Sequence, residues 1–91
     1  MREIRIRKMK YDDAKSLLEK ELNQAFLDGE MKVHVLHGIG EGILKKMTVE
    51  TAESMNFTKV NETGTIPFNP GITVIDILTP DPSMIQKYMK S

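Results

Sequence analysis

Val33-His34-Val35-Leu36-His37-Gly38-Ile39-Gly40-Glu41-Gly42-Ile43-Leu44-Lys45 is the stretch on which the reading of this chain turns. An apolar run ends at His37, glycines follow at every second position, and a segment with helical spacing then begins. The pattern predicts a strand, a tight loop and a helix N-terminus. Such a turn can hold an anion. Glycine permits positive φ and close approach of a ligand to the main chain, and the first turn of a helix offers unpaired N–H groups with partial positive charge. The main-chain N–H groups from Gly40 to Gly42 are candidates to hold a phosphate oxygen.

Upstream, residues Glu3 to Met9 alternate, with Ile4 and Ile6 on one side and Arg5 and Arg7 on the other. This is the period of a half-buried strand whose basic pair faces away from the core. Asp12 and Asp13 suit the positive end of a helix, along which Ala14, Leu17, Leu18, Leu22 and Ala25 recur at helical spacing until Gly29 ends it. Lys32 to His37 does not alternate cleanly, which predicts a strand interior to the sheet.

Downstream, Leu44, Met47, Thr48, Thr51, Ala52 and Met55 share one helical face, with Asn56 expected to close the helix in a left-handed conformation. A short strand is expected over Phe57 to Val60, then a turn-rich loop from Asn61 to Gly71 that reads as mobile. Ile72 to Leu78 is rich in β-branched residues and predicts a strong strand. Asp81-Pro82 opens a last short helix from Pro82 to Lys90, presenting Met84, Ile85, Tyr88 and Met89.

The element order βαβαββ predicts an α/β two-layer sandwich: a mixed four-stranded sheet with the helices on one face, right-handed crossovers making the first strands parallel. With 91 residues there is room for one small domain. Thirteen basic residues balance thirteen acidic ones, so any affinity for nucleic acid must come from local clustering rather than a global field. The chain has no cysteine, which excludes disulfides, thiolate metal sites and cysteine nucleophiles. No apolar run approaches the ~20 residues that span a bilayer, and the N-terminus lacks a signal peptide's apolar stretch, so a cytoplasmic protein without membrane partners is expected. Met1 just before the first strand fits a complete small protein. Seven methionines against two tyrosines and three phenylalanines predict a pliable core.

His-Gly-x-Gly-x-Gly-x-Leu-Lys/Arg after an apolar strand resembles the hallmark loop of the small MutS-related (Smr) domain, and His37, Gly38, Gly40, Gly42, Leu44 and Lys45 all fit it. The resemblance covers residues 3–78 and leaves 79–91 as a C-terminal extension. It implies a two-layer fold like the C-terminal domain of bacterial translation initiation factor three. The family's first strand reads Leu-Asp-Leu-His-Gly, or Leu-Asp-Leu-Arg-Gly in the branch attached to the second family of MutS-like ATPases. Here it is Ile4-Arg5-Ile6-Arg7-Lys8. The apolar positions are kept and Arg7 matches the arginine branch, but Arg5 replaces the acid tied to cleavage and Lys8 replaces the glycine. Near the end, the family's Gly-Gly-x-Gly-Ala-Thr-x-Val-x-Leu is matched by a segment that keeps Gly71, Thr73 and the strand while losing the first two glycines.

Phosphodiester cleavage needs charge stabilisation at phosphorus, proton transfer and often a metal held by carboxylates. His37 is the candidate proton carrier, with Arg7 and Lys45 or Lys46 stabilising charge. Glu41 in the loop and Asp76 on the last strand have no evident reason to converge, so no metal site is assigned, and Mg or Mn enters only if the domain is a nuclease. The alternative reading of His37 is a strand-end histidine that fixes the loop's shape; His34, within an apolar strand, reads as structural. Arg5, Arg7, Lys8 and Lys10 form a candidate basic edge beside the loop, or else a solvated face partly neutralised by Glu3 or Asp76. Tyr11, Phe57, Phe68 and Tyr88 are the candidate base-stacking aromatics, Phe68 foremost.

These residues predict a nucleic-acid-binding domain that contacts phosphates through Arg5, Arg7, Lys8, His37, Gly38, Gly40, Gly42 and Lys45 and reads backbone and shape. Two alternatives stand beside it: an endonuclease nicking DNA or cleaving RNA with His37 as acid/base, and a protein-interaction adaptor whose loop holds a partner's phosphate or carboxylate. The partners implied are DNA or RNA and a larger MutS-like or ribosome-associated protein. Met84, Ile85, Tyr88 and Met89 are candidates for packing on the domain or for a homodimer contact.

Overall fold

The first strand is shorter than its alternating sequence predicts. In the computed structural model, which describes residues 2–40, 42–61 and 71–78, β1 spans Arg2–Arg5. Alternating burial runs one step further, since Ile6 is fully buried, but the strand then turns. Lys8 adopts a φ of 66°, in the left-handed region that no strand can continue through, and the Met9 N–H donates to the Ile6 carbonyl at 3.0 Å. The expected strand to Met9 is therefore corrected by a turn centred on Lys8.

The helix α1, Tyr11–Leu27, carries Asp12 and Asp13 in its first turn and buries Ala14, Leu18, Leu22 and Ala25. It ends as Gly29 predicts: at φ 74° the glycine donates to Phe26 while the Glu30 N–H reaches the Ala25 carbonyl, the paired bonds of a Schellman turn. The strand β2, Lys32–Leu36, alternates more cleanly than its sequence suggests: Val33 and Val35 are fully buried and His34 and Leu36 half-buried. Its interior place in the sheet is as expected, but only one of its faces meets the helices.

The helix α2 spans Ile43–Ser54 and buries Met47, Thr48, Thr51 and Ala52. Asn56 does not close it in a left-handed turn. Met55 is already extended at φ −95°, and among the described residues Lys8 alone has positive φ without being glycine. The Ser54 hydroxyl donates to the Thr51 carbonyl and the Thr58 hydroxyl to the Ala52 carbonyl, so two of the last turn's orphan carbonyls are satisfied without one.

Strands β3, Thr58–Val60, and β4, Ile72–Ile77, complete a mixed sheet in the order β1-β2-β4-β3. β1 and β2 are parallel, and β4 runs antiparallel to both β2 and β3. Ile4, Val33, Val35, Ile75 and Ile77 from the sheet join Leu18, Leu22, Met47 and Ala52 from the helices in a continuous core, which puts both helices on the same face. Phe26 and Phe57 close one end with ring centroids 4.4 Å apart. Each fully buried aliphatic side chain contributes roughly 1.5–3 kcal/mol. No helix among the described residues is long and apolar enough to cross a membrane. The expected helix from Pro82 to Lys90, and the interior of the loop between Asn61 and Gly71 with Phe68, lie outside the described residues.

Candidate functional site

The topology brings three chain segments to the same end of the sheet. Because β1 and β2 are parallel, Arg7 and Lys8 leave the first strand beside His37 and Gly38 leaving the second, while β4 starts there at Gly71 and Ile72. Between them and the start of α2 lies a cleft of about 650 Å³. Of the candidate phosphate-contact residues, Arg7, Lys8, His37, Gly38, Gly40, Gly42 and Lys45 line it. Arg5 does not: its side chain is 78% exposed and lies 3.6 Å from Glu3. Position Glu41 lies outside the described residues.

Two glycines shape the loop for different reasons. At Gly38, φ is +80°, and a Cβ there would stand 3.1 Å from Cγ of Arg7, so the arginine side chain crosses the space that only glycine leaves open. Gly42, at φ 81°, is the N-cap of α2, and no side chain caps the helix there. The first-turn N–H groups of α2 therefore face the cleft end without a side-chain acceptor among the described residues, favourable for an anion.

His37 is turned inward, 4% exposed. Its Nδ1 lies 2.8 Å from the Gly38 carbonyl and its Nε2 2.7 Å from Oγ1 of Thr73. A carbonyl can only accept, so Nδ1 carries the proton and donates; the neutral ring's Nε2 then accepts from the threonine hydroxyl. Burial pushes the pKa of His37 below its ordinary value, the hydrogen bond to Gly38 opposes this, and the charge of Lys45 adds to the lowering. The backbone N–H groups of His37 and Gly38 both donate to the Gly71 carbonyl at 3.0 Å. Side chain and main chain thus pin the start of the glycine loop to β4. This arrangement suits a residue that positions the loop, and it ties up both ring nitrogens that acid/base work would use.

The cleft's charge is one-sided. Arg7, Lys8 and Lys45 line it, and no carboxylate does so among the described residues. Nor do the described residues bring three histidine or carboxylate groups together as a metal site. Asp76 lies on the other face, bonded to Lys32 at 2.9 Å and Asn61 at 2.8 Å, and the Lys32 bond foremost holds its carboxyl below its ordinary range. His34 pairs in register with Val74 in the sheet, away from the cleft. Lys10 is the N-cap of α1 rather than part of the cleft lining.

Gly71 and Thr73 are the partners that residue chemistry alone did not single out. Their signal was present, because these are the two positions of the family's closing motif that this divergent segment keeps. Ile39, Ile43 and Ile72 also line the cleft and had no such signal.

Sheet order, helices and loop define a small two-layer α/β domain with a cationic cleft at the strand–glycine loop–helix junction. Over residues 4–73 the sequence matches the Smr domain, and the chain belongs to that family. It is 32% identical over 81 residues to Endonuclease MutS2 of Geobacillus sp. (strain WCH70), covering 82% of this chain and 10% of that protein. To Endonuclease MutS2 of Carboxydothermus hydrogenoformans it is 39% identical over 57 residues, covering 63% of this chain and 7% of the relative. The chain thus spans about 10% of the length of such relatives. The crystal structure of the Smr domain of Thermus thermophilus MutS2 superposes with a TM-score of 0.71 at 21% identity, covering 85% of this chain and 98% of that one, which establishes the shared fold.

Proposed function

We propose that this Smr domain binds nucleic acid by its sugar–phosphate backbone, with a phosphate seated between Arg7, Lys8 and Lys45 and the uncapped start of α2. The observation that carries this reading is the cleft itself: three cations around a glycine loop, with no described carboxylate lining it to neutralise them. The relatives' name, Endonuclease MutS2, supports nucleic acid as the ligand class. In this reading His37 positions the loop, and Arg5, exposed beside Glu3 and not among the cleft-lining residues, is left out of the phosphate contact.

The test is a titration of end-labelled single-stranded RNA, duplex DNA and branched DNA at two salt concentrations, with magnesium or manganese present, resolved on native and denaturing gels. Shifted but intact strands that are released as salt rises are the expected result. Incision that disappears in His37→Ala would assign catalysis to the loop instead. No binding at low salt would overturn the phosphate reading and leave the protein-interaction adaptor.

A further inference from the structure

Ile39 and Ile43 are 70% and 56% exposed, yet they line the same cleft as Arg7, Lys8 and Lys45. Leu44 and Ile72 continue the apolar lining inward. A phosphate oxygen gains nothing from an isoleucine, so the phosphate contacts leave this half of the cleft without a role. In a duplex the base faces are stacked inside and the phosphates point out, so a domain seated on duplex backbone would set both side chains against sugar edges and water. An unpaired strand differs, because its bases can turn out of the stack and expose an apolar face next to their own phosphate.

We propose that the cleft takes an unpaired nucleotide, its phosphate on Arg7, Lys8 and Lys45 and its base laid on Ile39 and Ile43; the proposal rests on the phosphate-binding reading above. The cleft volume of about 650 Å³ falls within the range of sites that enclose a small ligand, and its mixed lining matches a nucleotide's charged and apolar halves. Both isoleucines belong to the loop–helix junction that lines the cleft. Ile39 lies between Gly38 at φ 80° and Gly40 at φ 34°, and Ile43 is the first residue of α2. Aliphatic contact carries no donor–acceptor pattern, so the platform accepts any base and discriminates unpaired from paired strands rather than one sequence from another.

Fluorescence anisotropy on the full chain tests this with three labelled probes of equal length: a single-stranded oligodeoxynucleotide, the same strand made entirely of abasic sites, and the matching duplex. The base-bearing strand is expected to bind about five- to tenfold tighter than the abasic one, near the lower end of the range for bases stacked on aromatic side chains because the platform here is aliphatic. Ile39→Ser/Ile43→Ser, whose fold is checked by a circular-dichroism melt, is expected to bring the base-bearing strand down to the abasic level. Single Ile39→Ser, on the loop and outside the core, repeats the test should the double variant melt early. Equal affinity of the wild type for base-bearing and abasic strands, tighter binding of duplex than single strand, or a gap that survives both substitutions would overturn the base platform while leaving the phosphate reading intact. Failure of all three probes to bind at low salt would overturn the phosphate reading, and the platform with it.

Discussion

Lys8 occupies a backbone position that suits glycine. Its φ of 66° costs a side-chain-bearing residue on the order of 1 kcal/mol, yet the residue lines the cleft. Lys8→Gly is therefore expected to raise stability by about 0.5–1 kcal/mol in urea unfolding while weakening nucleic-acid binding, opposite signs from the same substitution. The family resemblance implies a glycine where this chain has Lys8, and the backbone at Lys8 is left-handed, a conformation that glycine adopts without strain. His37 divides similarly. Its place at the strand end was legible from sequence, but its Thr73 partner comes from across the sheet, and no local pattern specifies which way a ring turns. Because burial holds its folded pKa below the ordinary 6.5, the unfolded chain takes up a proton first as pH falls, so the stability it contributes is present above about pH 6.5 and is lost below it. Chemical denaturation midpoints should decline from pH 7.5 to 5.5, and His37→Gln should flatten that decline even though it lowers the midpoint throughout. Asp76 titrates beneath this window, its pKa being held under 3.8, so the slope reports the histidine rather than that carboxyl.

The elements were readable where the signal is periodic and local, and misread where tertiary contacts set a boundary. The apolar spacing of α1 and its Gly29 stop agree with the structure because both are encoded within a few turns of chain. The ends of β1 and α2 do not follow their sequences. β1 is cut short by the turn at Lys8, and α2 stops before Asn56 because the Thr58 hydroxyl, beyond the helix, takes up the Ala52 carbonyl. The glycine loop was legible as an element, but its three glycines are not equivalent. A methyl group at Gly42 meets strain alone, for no heavy atom lies within 4 Å of it, whereas at Gly38 it adds a 3.1 Å encounter with Arg7 to a similar φ. Gly42→Ala is expected to cost about 1 kcal/mol and Gly38→Ala about 2 kcal/mol. Urea unfolding measures both, and a Gly38→Ala no more destabilised than Gly42→Ala would mean that Arg7 swings aside freely and is not held across the loop.

For the whole molecule, a balanced charge count hides a division between its two ends. At the start of β1, Arg2 pairs with Glu21 at 2.7 Å, Asp28 at 2.8 Å and Glu30 at 2.5 Å, and nearby Lys32 pairs with Asp76, so the acids there are occupied. At the other end, parallel β1 and β2 and the antiparallel entry of β4 gather Arg7, Lys8 and Lys45 around the cleft, where none forms an ion pair among the described residues. Composition could not reveal this, because thirteen cations and thirteen anions say nothing of which are paired, and pairing follows strand order. The consequence is a salt dependence set by the local cluster rather than the net charge. Each phosphate contact on a single strand contributes about −0.7 to the slope of log affinity against log salt, so the three cations predict a slope of about −2, and Arg7→Ala or Lys45→Ala should each bring it nearer zero by about 0.7. Arg5→Ala, outside the cleft, should leave it unchanged. Titrations across a salt series measure all four slopes on one probe. A wild-type slope near zero would mean that the cleft is not in contact with phosphate, and a slope as sensitive to Arg5 as to Arg7 would mean that the strand returns across the edge of β1, widening the footprint beyond the cleft.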